Sequence, residues 1–148
     1  MTIEVGQPAP DFTLPNQDRE RITLSELRGH PVILMFYPLD FSGLCTTEHC
    51  SVRDDYGSWQ EQGATILGIS RDSIFTHQVF KETNQLPYDL LADMKGEVAT
   101  LYGNWNADAA IAERLTVVID AEGNVVYTTK SGGIPEARDH SDVLQHIG

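Results

Sequence analysis

The stretch PVILMFYPLDFSGLCTTEHC, residues 31–50, decides how the rest of the chain is read. Pro31 to Tyr37 is a continuous apolar run, preceded by Arg28-Gly29-His30 and closed by Pro38. A short run bounded by turn residues reads as a strand buried on both faces. PLDFSGLC then reads as a loop, and CTTEHCSVRDDYGSWQEQG as a helix. Ser42, Thr46, Thr47 and Glu48 supply first-turn chemistry, and Gly63 is the stop signal. Cys45 therefore opens a helix directly after a strand and a loop. Backbone N–H groups in a first turn have no intrahelical partners, and the helix dipole adds positive potential there. That place favours a thiolate, and thiolates rather than thiols react.

The same pattern repeats to either side. ATILGIS (Ala64 to Ser70) and RLTVVID (Arg114 to Asp120) read as two further strong strands. SIFTHQVFKETN, after ATILGIS, reads as a helix, YDLLAD as a short strand, and KGEVATLYG as a short helix stopped by Gly103. AEGN is a turn that folds VVYTTK back as a hairpin. Pro135 to Ile147 reads as a closing helix. Ahead of the central run, Phe12 and Leu14, then Ile22 and Leu24, alternate in a way that fits a short N-terminal hairpin. The expected architecture is α/β, a central mixed sheet flanked by helices, in a single domain of residues 1–148. In such sheets the loops at strand C-terminal ends carry the sites, and the segment after Tyr37 occupies that position.

Composition narrows the function. The chain has 148 residues and a net charge of −12, with 22 acidic residues against 10 basic ones. Nucleic acid and anionic membranes are poor partners for such a surface, because binding them depends on dense Lys and Arg. No apolar run approaches the roughly 20 residues of a membrane span. None follows a basic N-terminus as in a signal peptide, so a cytoplasmic location is expected. Two cysteines, Cys45 and Cys50, are too few for a disulfide framework.

FYPLDFSGLCTTEHC resembles the active-site segment of the peroxiredoxins, whose pattern is Pro, three residues, Thr or Ser, two residues, Cys. The matching positions are Pro38, Ser42 and Cys45, with Ser in place of the commoner Thr. The resemblance runs from VGQPAPDFTL through the late hairpin and implies a thioredoxin-like fold with peroxiredoxin additions. It implies that Cys45 attacks peroxide and becomes a sulfenic acid. Ser42 would hydrogen-bond peroxide and thiolate, and Pro38 would shield the site from water. Backbone N–H groups at Gly43 and Leu44 would hold the charge that develops on the leaving oxygen. Arg114 matches the family's active-site arginine, where a guanidinium beside Cys45 would favour the thiolate and hold the peroxide. Its ordinary alternative is an ion pair with Glu113 or a helix acid. Glu48 matches an acid that orients the arginine, and equally fits a plain first-turn Glu.

Cys50 leaves two readings open. CTTEHC resembles the peroxiredoxin Q subgroup, also called bacterioferritin comigratory protein, which has a resolving cysteine five residues on. FSGLC and the late PEARD segment look as close to the one-cysteine AhpE-like subgroup, where an external thiol clears the sulfenic acid. Residues i and i+5 on a helix lie about 140° apart, so a Cys45–Cys50 bridge would require the first turns to unwind. Cys50 as a packed core residue is the alternative. The resemblance implies no cofactor or metal. It implies peroxide as substrate, thioredoxin or another dithiol as reductant, and a monomer or homodimer.

Other chemistries fit less well. A zinc site built on Cys45, His49 and Cys50 would need a second ligand pair, and His30, His77, His140 and His146 are scattered. A disulfide reductase would want C-x-x-C, whereas four residues separate these cysteines. A redox sensor shares the first step with a peroxidase and stays open. Trp59 reads as packing, Trp105 as a hydrophobic cover, and His77 as a core-edge histidine. Arg138, in PEARD, could approach Cys45 across a dimer.

Overall fold

The computed structural model describes residues 2–133 and 135–147. Chain order begins with β1 (Thr13–Pro15) and β2 (Arg21–Thr23), an antiparallel hairpin pairing Leu14 with Ile22. A 3-10 turn (Leu24–Leu27) leads to β3 (Val32–Phe36), then α1 (Gly43–Glu61), β4 (Thr65–Ser70) and α2 (Ile74–Asn84). Next come β5 (Asp89–Ala92), α3 (Glu97–Leu101), β6 (Trp105–Asn106), β7 (Ile111–Ala112), β8 (Leu115–Ile119), β9 (Val125–Lys130) and α4 (Val143–His146).

The main sheet has the order β5-β4-β3-β8-β9. β3, β4 and β5 run parallel, and β8 and β9 are antiparallel to their neighbours. This is the expected mixed sheet, and it explains the unbroken apolar runs. In β3, Val32, Leu34 and Phe36 point to one core and Ile33 and Met35 to another. β8 repeats the split, with Leu115, Val117 and Ile119 on the first side and Val118 on the second. Side chains alternate faces along a strand, so a strand covered on both sides must be apolar throughout. The first core is closed by Phe12, Leu24, Val98 and Tyr102, from the N-terminal hairpin region and α3. The second is closed by Val52 and Trp59 of α1, Phe80 of α2 and Val143 of α4.

Gly68, in β4, sits under the joint between α1 and the sheet. A Cβ there would meet Leu90 at 2.7 Å, His49 at 3.2 Å and Tyr37 at 3.3 Å. The missing side chain lets α1 settle close enough to seat its N-terminus beside the end of β3.

Three elements differ from the sequence reading. α1 begins two residues earlier, at Gly43, which puts Cys45 third in the helix. The ribbon β6–β7, pairing Trp105 with Ala112, was not anticipated, since two-residue strands carry no period. The closing helix expected over Pro135 to Ile147 shrinks to Val143–His146. Its first half is held open because the Arg138 backbone N–H donates to Glu48 at 2.9 Å, leaving none for a helical carbonyl.

Candidate active site

β3 delivers the chain to Tyr37 and Pro38, both buried, at the C-terminal end of its strand. Ser42 is the N-cap of α1 in extended conformation, and its carbonyl accepts from the Thr46 N–H at 2.9 Å. Gly43, Leu44 and Cys45 are thus the first three helical residues, whose N–H groups have no intrahelical acceptor. The Cys45 side chain is fully buried at this end of the helix.

Arg114, which immediately precedes β8, reaches the sulfur. Its Nη1 donates to Cys45 Sγ at 3.1 Å and to Glu48 Oε1 at 2.7 Å. β8 lies beside β3 in the sheet, so a residue at its start comes level with the end of β3. Glu48, one turn after Cys45, is itself buried and takes further hydrogen bonds from Arg138. Arg138 gives it a backbone N–H, Nε at 3.2 Å and Nη2 at 3.2 Å. Arg138 Nη1 also donates to Leu115 O at 2.9 Å and to Thr116 Oγ1 at 3.2 Å. Burial works to raise the Glu48 carboxyl, but the charge and hydrogen bonds of Arg138, with the charge of Arg114, hold it below its usual range. Two guanidinium groups therefore converge on one ionised carboxylate, beside a buried thiol. Such charges persist in an interior only when paired and hydrogen-bonded.

Thr116 extends the network. Its hydroxyl accepts from Arg138 at 3.2 Å and shares a hydrogen bond with His140 Nε2 at 2.7 Å. Burial and the nearby Arg138 charge lower His140 to about 4, so the ring is neutral near pH 7.

The family profile described as AhpC/TSA matches residues 5–128. The chain belongs to the AhpC/TSA family. It is similar to the peroxiredoxin Bcp of Bacillus subtilis (strain 168), 39% identical over 154 residues, 99% of this chain and 96% of the relative. Peroxiredoxin Q, chloroplastic, of Oryza sativa subsp. japonica is 36% identical over 150 residues, 99% of this chain and 64% of the relative. Among solved structures, peroxidoxin BcpB from Mycobacterium tuberculosis superposes with a TM-score of 0.81 at 33% identity, over 87% of this chain and 86% of that one. The sheet, helices and hairpin described above are therefore the thioredoxin-like fold of a peroxiredoxin.

Within this peroxiredoxin the expected residues fall into two groups. Cys45, Glu48 and Arg114 are brought together. Arg114 takes Glu48 and Cys45 as partners, while Glu113 pairs with Lys130 at 3.0 Å instead. Ser42, half-buried at the N-cap of α1, turns its hydroxyl to Leu39 O at 3.2 Å. Cys50 is set apart on α1. Both cysteines are free, and the Cys50 thiol faces Asn84 Oδ1 at 3.8 Å, on the α2 side.

Arg138 needs a correction. It joins the site within its own chain, through Glu48, and not across a dimer. Thr116 and His140 carry no sequence signal at all, since only the pairing of sheet and C-terminal segment brings them in. His77 is no core-edge residue but fully buried, with Asp40 at 2.6 Å. Trp59 is buried as packing, and Trp105 packs half-buried against the first core. No helix among the described residues is long and apolar enough to cross a membrane.

Proposed function

We propose that this peroxiredoxin reduces hydrogen peroxide and organic hydroperoxides at Cys45, with Cys50 resolving the oxidised sulfur. The observation that carries the reading is Arg114 Nη1 at 3.1 Å from Cys45 Sγ, at the first turn of α1. Cys45, as thiolate, attacks one peroxide oxygen, and the O–O bond breaks. The other oxygen takes a proton and leaves as water or alcohol, while Cys45 becomes a sulfenic acid. Arg114 holds the peroxide by its guanidinium, with Glu48 and Arg138 fixing the plane of that group. The N–H groups of Gly43, Leu44 and Cys45 face the charge that develops on the leaving oxygen. Pro38 keeps water out, and the Ser42 hydroxyl turns from Leu39 O to the bound peroxide. A thiolate also supplies a second negative charge where two guanidinium groups share one carboxylate, which is why the reactive form suits this pocket.

The Cys50 thiolate then attacks the Cys45 sulfur, hydroxide leaves as water, and an intramolecular disulfide forms. Thioredoxin or another dithiol reduces it, in the cytoplasm, with the chain acting as one domain and as a monomer or homodimer. Support comes from the five-residue spacing within the helix and the likeness to a peroxiredoxin Q. The position of Cys50 against Asn84, away from Arg114, supports the second reading, in which an external thiol clears the sulfenic acid. Cys45→Ser should abolish thiol-dependent peroxide consumption in a coupled assay. A variant that keeps wild-type turnover contradicts the assignment.

A further inference from the structure

Beneath the loop that leads to Cys45 lies a second buried polar cluster, sharing no residue with the first. Asp40, in the loop, accepts from the Tyr37 hydroxyl at 2.6 Å through one carboxylate oxygen. Its other oxygen lies 2.6 Å from His77 Nδ1, and neither side chain has any exposure. His77 Nε2 is 3.0 Å from Leu91 O. A carbonyl only accepts, so Nε2 carries a hydrogen, and one further proton lies between Nδ1 and the Asp40 carboxyl. The Asp40 backbone N–H donates to Asp72 Oδ2 at 2.8 Å, which also takes the Ser70 hydroxyl. One loop residue is thus tied to α2, to the end of β4 and, through His77, to β5. The ligand atoms of Asp40, Asp72 and His77 lie within 4.8 Å of one another, but protein hydrogen bonds already occupy them.

The next residue is strained. Phe41 has a φ of +66°, a left-handed conformation that a bulky side chain adopts only under constraint. Its ring meets Phe80 of α2 edge-on, with centroids 5.0 Å apart. Ser42 and the first turn of α1 follow directly. Where the Cys45 N–H groups sit therefore depends on Asp40 being held and Phe41 being kept in that bend.

We propose that Asp40 and His77 are positioning residues for the peroxide reaction. Their hydrogen-bonded clasp holds the loop 38–42 and the first turn of α1 in the peroxide-reactive form. Its release is the opening step that precedes attack by Cys50. The clasp rests on the assignment of Cys45 and Cys50 given above.

The test compares wild type with Asp40→Ala and Asp40→Asn. Asn keeps the pattern, because its carbonyl accepts from Tyr37 and its amide donates to a neutral His77 Nδ1. Amide exchange is read by segment in the reduced proteins. Sulfenic acid and disulfide are then timed by quenching and mass after one addition of hydrogen peroxide. Asp40→Ala is expected to speed exchange of residues 46–50 and disulfide formation about tenfold, and to slow oxygen transfer to Cys45 about tenfold, the worth of about one buried hydrogen bond. Protection in β3 and β8 stays. Asp40→Asn should lie within about twofold of wild type on all three. A uniform loss of protection, two rates that move together, or an Asn variant that behaves like Ala overturns the clasp.

Should Asp40→Ala fail to fold, Tyr37→Phe removes a single hydroxyl from the same carboxylate. It should part the two rates in the same opposite directions, about threefold each. Rates that do not part overturn the clasp. Failure of the underlying assignment looks different, since wild type itself would then gain no oxygen at Cys45 or form no Cys45–Cys50 disulfide.

Discussion

At the Cys45 sulfur, burial sets what each neighbouring group is worth. Arg114 and Glu48 are almost without solvent, so their charges are screened little. In the proposed reaction, removing the guanidinium deprives a bound peroxide of its donor and the thiolate of its counter-charge. Arg114→Ala should slow oxidation of Cys45 about a hundredfold, as loss of one preorganised donor does. Stopped-flow fluorescence after mixing with peroxide measures this, and an unchanged rate would place Arg114 outside the chemistry. His140 gives the site a second testable property. Its folded value, about 4 against an ordinary 6.5, means the unfolded chain binds a proton that the folded chain refuses. Its neutral ring therefore costs nothing above pH 6.5, and stability falls as pH drops from there toward 4. His140→Phe keeps the edge-on packing against Trp59 and cannot be protonated. Urea unfolding should show a flatter pH dependence for that variant over this window, and an identical slope would show that His140 is not the group responsible. Cys45 could be picked from its own neighbours in sequence, because a strand, a loop and a helix start are local features. Arg114 could not, being 69 residues away, and was named only through the family resemblance. Arg138 lay in a segment without period, where no local rule says which carboxylate a side chain will reach.

In the proposed cycle the α1 helix has to meet two demands. Reduced Cys45 needs a formed first turn for its N–H groups, whereas Cys50, five positions on, can reach it only if that turn opens. One conformation cannot do both, so the proposed disulfide requires the segment to be a two-state element. Its sequence allows this. Thr46, Thr47 and His49 are mediocre helix formers, and Gly43 loosens the start. Hydrogen exchange should show residues 46–54 losing protection on oxidation while β3 keeps its own. Equal protection in both states, with no internal disulfide by mass, would leave the one-cysteine cycle. The long elements were readable because their patterns are strong. β3, β4 and β8 are apolar runs closed by turn residues, and α1 carries start and stop signals. The short ones were not. β6 and β7 have two residues each, and the segment before α4 looks helical but gives its Arg138 N–H to Glu48. Tertiary contacts decide such stretches, and they are invisible until the sheet is assembled.

Taken together, the molecule is a sheet with two apolar cores that carries its polar machinery at one edge of the central strands. β3 ends at Phe36, β8 begins after Arg114, and α1 starts near both ends, so three elements meet at one sulfur. The net charge of −12 lies on a surface that hydrogen peroxide, being neutral, crosses without steering. What sets the reaction is therefore the interior arrangement, in which we propose that Cys45 is the sulfur oxidised first. The most direct measurement is mass spectrometry of the digested protein, quenched soon after a single equivalent of hydrogen peroxide, in wild type and in Cys50→Ser. One added oxygen is expected on the Cys45 peptide in Cys50→Ser, and in wild type a brief appearance of that oxygen followed by a Cys45–Cys50 disulfide. Oxygen found first on Cys50 of the wild type, with Cys45 still a thiol, would contradict it.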